Sequence, residues 1–170
     1  TDGDVTVKVP TDSYEDTLGN PGEEVDTTVP VDTIPPKAEV TVTPDGKITV
    51  TYPDDVDPDT ITEEKIIVEG PEGPIEVTFT PPVKQPDGSY VVTGEVPPGV
   101  DGTVTVTVPD TSYEDESGNA GEPVTGNGQV DTDVPTATVT IQPNGDIVIK
   151  YPNDTNPDSI DTSTITFTDK

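Results

Sequence analysis

The chain is 170 residues long and carries 35 acidic side chains against 7 basic ones, all lysine, for a formal net charge of -28. Phosphate binding needs a basic face, so this balance excludes most nucleic-acid partners and favours a cation instead. Histidine, cysteine, methionine and tryptophan are absent, which removes disulfides, thiolate or imidazole metal sites and every Ser-His-Asp or Cys-His arrangement, and leaves oxygen as the donor for any metal.

A hydrophobic fraction of 28% at this charge would by itself suggest disorder; the order of the residues argues otherwise. The chain opens without a basic-apolar leader, and no apolar run is long enough to span a bilayer, so no membrane insertion is expected and it reads as an internal piece of a longer protein. Val5-Thr6-Val7 predicts a strand, followed by Ser13-Tyr14-Glu15-Asp16 and Gly19-Asn20 in a loop. Asp32-Thr33-Ile34-Pro35-Pro36 reads as a short linker stiffened by proline. Beyond it the apolar residues alternate: Val40 and Val42, then Ile48, Val50 and Tyr52, then Ile75, Val77 and Phe79, then Val104, Val106 and Val108. Period two predicts half-buried strands, and threonines such as Thr41, Thr49, Thr51 and Thr105 suit the opposite, solvated face. Pro44-Asp45-Gly46 and Pro86-Asp87-Gly88 supply hairpin turns. Seven strands are predicted, over 38–43, 47–52, 65–69, 75–80, 90–95, 103–108 and 124–130, the number expected of an immunoglobulin-like β-sandwich.

The elements return at an offset of 99 residues without a gap: Ser13-Tyr14-Glu15-Asp16 as Ser112-Tyr113-Glu114-Asp115, Val31-Asp32 as Val130-Asp131, and Tyr52-Pro53 as Tyr151-Pro152. That period is one small domain, so the fold class expected is all-β, immunoglobulin-like sandwich repeats in tandem. Residues 34–132 hold one complete repeat. Residues 1–33 are then the last two strands of a preceding repeat, and residues 133–170 the first three of a following one.

Every antiparallel strand carries the chain across the sandwich once, so the loops around 54–59, 81–89 and 112–122 share the end where the linker enters. Acidic residues gather there. Asp55, Asp57 and Asp59 return as Asp154, Asn156 and Asp158, keeping side-chain oxygens at alternate positions. Glu114 and Asp115, with Glu15 and Asp16 in the other copy, and the linker residues Asp32 and Asp131 could add further oxygens. A hard cation that takes six to eight oxygens in irregular geometry fits this set, so calcium (Ca2+) is expected before magnesium. Acidic loops that merely solvate the domain are the plain alternative. Paired carboxylates could in principle hydrolyse glycosides, but nothing marks a substrate cleft and aromatic sugar platforms are scarce, so no enzyme is expected. The threonine rows read as ordinary outward strand faces, and Tyr14 and Tyr113 as packing residues at a domain end.

The run Thr103-Val104-Thr105-Val106-Thr107-Val108, continuing to Ser117-Gly118-Asn119-Ala120-Gly121 and to Val130-Asp131-Thr132-Asp133-Val134-Pro135, resembles the end of the bacterial immunoglobulin-like repeats of giant RTX-type adhesins, which commonly carry a D-x-x-G-N loop and a D-T-x-x-P linker. The two linkers of this chain differ after the shared Asp-Thr. The resemblance implies an extracellular bacterial surface protein whose tandem repeats bind calcium at or near their junctions and project a distal binding module. The expected function is a calcium-stiffened extender, with a directly adhesive or ligand-binding module as the alternative. Neighbouring repeats are the expected partners, and the incomplete end repeats could complement one another between molecules.

Overall fold

A computed structural model describes residues 2–168. Valine- and threonine-rich segments with strict alternation become strands where two edges find partners. In chain order these are β1 (Gly3–Val9), β2 (Val25–Val31), β3 (Glu39–Val42), β4 (Lys47–Tyr52), β5 (Ile67–Gly70), β6 (Gly73–Pro74), β7 (Val83–Lys84), β8 (Tyr90–Glu95), β9 (Asp101–Val108), β10 (Val124–Asp131), β11 (Thr138–Ile141) and β12 (Ile147–Lys150). Six 3-10 turns of three residues each are the only helical structure among the described residues, and no helix is long and apolar enough to cross a membrane. The protein is all-β.

Residues 34–132 build two four-stranded antiparallel sheets, in the orders β3-β4-β8-β7 and β10-β9-β5-β6. One face of each turns inward. Ile48, Val50 and Tyr52 of β4, Val92 of β8, and Val104, Val106 and Val108 of β9 all lose their exposure completely. Burying side chains of this size contributes roughly 1.5–3 kcal/mol each. The outward threonines pair across strands, as in Thr107 Oγ1 with Thr125 Oγ1 at 3.3 Å.

The segment 75–80 differs from the expected strand. Its first residue donates from Ile75 N–H to Val68 O at 2.8 Å, on the β5 side, and its last from Thr80 N–H to Thr93 O at 2.8 Å, on β8. The segment therefore crosses from one sheet to the other and forms a continuous ladder with neither. Its apolar side chains still pack inward, because Gly94 leaves room: a Cβ there would stand 2.6 Å from Val77 Cγ1 and 2.9 Å from the Phe79 ring. The strand expected over 65–69 also starts later, since Glu63–Lys65 forms a 3-10 turn.

β1 and β2 form a separate two-stranded sheet, as do β11 and β12. Segments that repeat at the 99-residue offset take the same local structure and register. Val9 pairs with Val25 as Val108 pairs with Val124, and Thr138 pairs with Lys150 as Glu39 pairs with Thr51.

Candidate functional site

The turn Asp54–Asp59 begins where β4 ends. Pro53 O takes the Val56 N–H at 3.3 Å, which turns the chain and sends Val56 into the core at 1% exposure. Pro58 then opens a 3-10 turn, Pro58–Thr60, where a residue without an N–H costs nothing. Asp57 caps that turn, its Oδ1 accepting from Asp59 N–H at 3.0 Å. Asn156 caps Pro157–Ser159 in the same way, accepting from Asp158 N–H at 3.0 Å. Aspartate and asparagine both offer a cap oxygen, and this accounts for their interchange at the middle of the repeated pattern.

The loop after β9 lies across this turn. Asp57 N–H donates to Glu114 O at 3.0 Å and Glu116 N–H to Asp55 O at 3.0 Å, on either side of a bridge between Val56 and Asp115. Thr60 Oγ1 accepts from Glu114 N–H at 2.9 Å and donates to Asp57 O at 2.7 Å. The third loop closes the same end, where a Cβ on Gly88 would stand 3.0 Å from Asp54 Cβ. The acidic loops are thus brought together at the entry of the linker, as the strand count requires.

Asp115 is the anchor of its loop. It is 3% exposed, and its Oδ1 accepts from the N–H groups of Ser117 at 2.9 Å and Asn119 at 2.8 Å, while Oδ2 accepts from Asn119 Nδ2 at 2.8 Å. Burial pushes this carboxyl up, but the hydrogen bonds from Asn119, Ser117 and Gly118 outweigh it and hold the group below the usual aspartate value. Asp16 makes the same bonds to Leu18 and Asn20, led by the Asn20 side chain, and is likewise lowered. Gly121 completes the loop: a Cβ there would come within 2.2 Å of the Tyr113 ring. That ring meets Tyr52 edge-on at 5.0 Å between centroids. Tyr113 Oη donates to Glu122 O at 2.6 Å and accepts from Ala38 N–H at 3.1 Å, so this tyrosine packs the domain end.

The linker is held to the same loop. Asn119 Nδ2 donates to Asp32 O at 3.2 Å, and Ser117 Oγ stands 3.4 Å from Asp32 Oδ2. Asp32 Oδ1 takes Ile34 N–H at 3.0 Å; in the second linker Asp131 Oδ1 takes Asp133 N–H at 3.2 Å. Asp55 feels the result. Although the residue is exposed, the loops packed around it take solvent from its carboxyl, and this first, then the negative charges of Asp115, Asp54 and Asp32, pushes it up.

Asp32, Asp55, Asp57 and Asp115 therefore share one end of the sandwich. Asp59 and Glu114 are exposed on the same two loops. Glu15 and Asp16 lie in the loop after β1, Asp131 at the end of β10, and Asp154, Asn156 and Asp158 beyond β12, without the companion loops that surround their counterparts. Among the described residues no group of three or more carboxylates is drawn close enough to hold a metal ion. The donor chemistry is nevertheless that of a hard cation: oxygen throughout, with Asp32 and Asp55 exposed and Asp57 Oδ2 outside the cap bond. Sequence reasoning did not single out Asp54 or Thr60, and it named Ser117 and Asn119 within the D-x-x-G-N loop without giving either a role at the site. Asn119 had a signal, its return as the equally bonded Asn20; Ser117 and Thr60 act through hydroxyl bonds to other loops, and Asp54 through proximity, which no spacing reveals. The sequence matches no family model and no curated protein.

Proposed function

We propose that the chain is a section of a calcium-stiffened extender, built of immunoglobulin-like repeats in tandem, from a bacterial cell-surface adhesin, and that it acts outside the cell as a spacer and not as an enzyme. The observation that carries this reading is the convergence of the linker residue Asp32 with Asp55 and Asp115 at one end of the two-sheet unit, tied together by the Asn119 and Ser117 bonds to Asp32 and the Glu116 bond to Asp55; loss of solvent first, and then the charges of Asp115, Asp54 and Asp32, raise the Asp55 carboxyl there. A divalent cation bridging Asp32 and Asp55 would convert the repulsion between linker and domain charges into a tie. Asp115, saturated by three donors, holds the loop in place for it. The return of strands, register and capping turns at the 99-residue offset supports the tandem reading, and the order of strands in the two sheets supports the immunoglobulin-like one.

The test is thermal unfolding followed by circular dichroism in millimolar calcium, in millimolar magnesium and in EDTA, at one fixed high salt concentration. Calcium at ~100 times its dissociation constant would add ~2.7 kcal/mol, so a calcium-selective rise in midpoint is expected. Equal midpoints in all three would leave the acidic loops as solvating loops and favour a directly adhesive module.

A further inference from the structure

The side of the sandwich between β6 and β7 carries backbone that nothing in the chain satisfies. β6 is the last strand of one sheet and β7 of the other, and residues 75–80 run between them. Once Ile75 N–H has donated to Val68 O, the segment leaves β5, and its next backbone bond is the one Thr80 N–H makes to Thr93 O. Among the described residues, no peptide N–H or C=O of residues 76–79 has a hydrogen-bond partner. The side chains still alternate, exposed at Glu76, Thr78 and Thr80 and half-buried at Ile75, Val77 and Phe79, so the segment is extended. It is an edge strand without a neighbour, and such an edge is a template for another strand.

The wedge that opens where this segment parts from β5 is a groove. Ile66, Ile67, Ile75, Val77 and Phe79 give it an apolar lining, and Ile67 is 51% exposed. The charged residues that line it are all acidic: Glu63, Glu64 and Glu76. The nearby lysines do not offset them. Lys65 Nζ donates to Thr111 O, and Lys84 Nζ lies over the Tyr90 ring, 5.3 Å from its centroid. The volume, about 740 Å³, falls within the ~300–1,000 Å³ of ligand clefts, but four successive open peptide units suit an extended chain and not a compact small molecule.

We infer that this groove binds an extended peptide segment of another protein, one in which apolar residues alternate with lysine or arginine. The peptide adds as a strand along 76–79. Its backbone satisfies the open peptide units, its apolar side chains enter the lining, and its cations meet Glu63, Glu64 and Glu76. Backbone hydrogen bonds give such strand addition its affinity, and alternate side chains give it register; the acidic rim selects against acidic partners. Every residue of the groove lies within the two-sheet unit, so the inference depends neither on the flanking hairpins nor on calcium.

Fluorescence anisotropy tests it, with the whole chain in EDTA at ~0.1 M salt titrated into a labelled eight-residue peptide of alternating valine and lysine. Saturable binding with a Kd below ~1 mM is expected, and none for the same peptide with glutamate in place of lysine. Methylating either the valine or the lysine nitrogens removes the donors along one edge of the added strand, so at least one of the two methylated peptides should bind ~10-fold more weakly or worse. Glu76→Lys should weaken binding of the parent peptide by ~3-fold or more. Glu39→Lys makes the same charge change on β3, at the far edge of its sheet, and should leave the affinity unaltered; both side chains are exposed, so folding is not at stake. No saturable binding of the lysine peptide, equal affinity for both methylated peptides and their parent, or equal weakening by Glu39→Lys and Glu76→Lys would each overturn the inference, the last by reducing it to diffuse attraction towards an acidic chain.

Discussion

Asp115 shows how one side chain can satisfy a loop whose backbone has left both sheets. Its two oxygens replace the ladder for Ser117 and Asn119, and only a charged acceptor sits there without loss of bond strength. Asp115→Ala strands buried donors and should lower the unfolding free energy by about 2–3 kcal/mol, read from urea denaturation. Because its folded-state pKa is lowered, the stability Asp115 contributes is fully present above its unfolded value of ~3.9 and is lost as pH falls through the folded value. Asp55 has the opposite sign. Its folded-state pKa is raised by burial and by Asp115, Asp54 and Asp32, so its ionised form opposes folding, and this penalty grows as pH rises through the folded value. Asp55→Asn should therefore raise the melting midpoint near neutral pH in EDTA and leave it unchanged in acid below both values. A lowered neutral midpoint would show that Asp55 contributes bonds that outweigh its repulsion.

At the scale of elements, alternation was the legible signal, and it located β4 to the residue and β9 to within two residues. Alternation reports which way side chains face and nothing about which edge the backbone meets. Ile75, Val77 and Phe79 alternate like any strand while their backbone passes from β5 to β8. Ile61 and Ile66 are buried at 7% and 8% by 3-10 turns, whose three-residue spacing is too short to leave a period. The acidic site was half legible for a related reason: strand reversals place loops at an end, but Asp-x-x-Gly-Asn has the same donors whether its carboxylate anchors a loop or binds an ion. Only the distances around Asp115 separate the two uses. The close approach of β3 to β10 is likewise written in Gly126 and Gly128, where a Cβ would stand 2.7 Å from Val40 Cβ and 2.5 Å from Val42 O, and which in a strand look like defects until the partner is seen. Replacing both with the residues that stand 99 positions earlier, Thr27 and Val29, as Gly126→Thr with Gly128→Val, should push β3 away and cost about 2–4 kcal/mol, measured by chemical denaturation. A change smaller than ~0.5 kcal/mol would mean that the approach carries no packing energy.

For the whole molecule, a formal net charge of -28 makes self-repulsion a property of every surface and not only of the linker end. General repulsion and a specific cation site then predict different salt behaviour. Raising sodium chloride from ~0.1 to ~1 M shortens the screening length from ~10 to ~3 Å, so distant charges stop opposing the fold and the midpoint should climb gradually, whichever monovalent salt is used. A cation held directly between Asp32 and Asp55 is closer to both than that length and is screened much less. Millimolar calcium added on top of ~1 M salt should therefore still raise the midpoint of the unaltered chain. The double variant Asp32→Asn with Asp55→Asn should keep the sodium chloride response, since it removes only two of the 35 acidic side chains, and lose the calcium increment. If the calcium increment disappears in ~1 M salt, or survives in the double variant, calcium acts as a diffuse counter-ion, and the linker is held by its hydrogen bonds to Asn119, Ser117 and Glu122 and by its prolines.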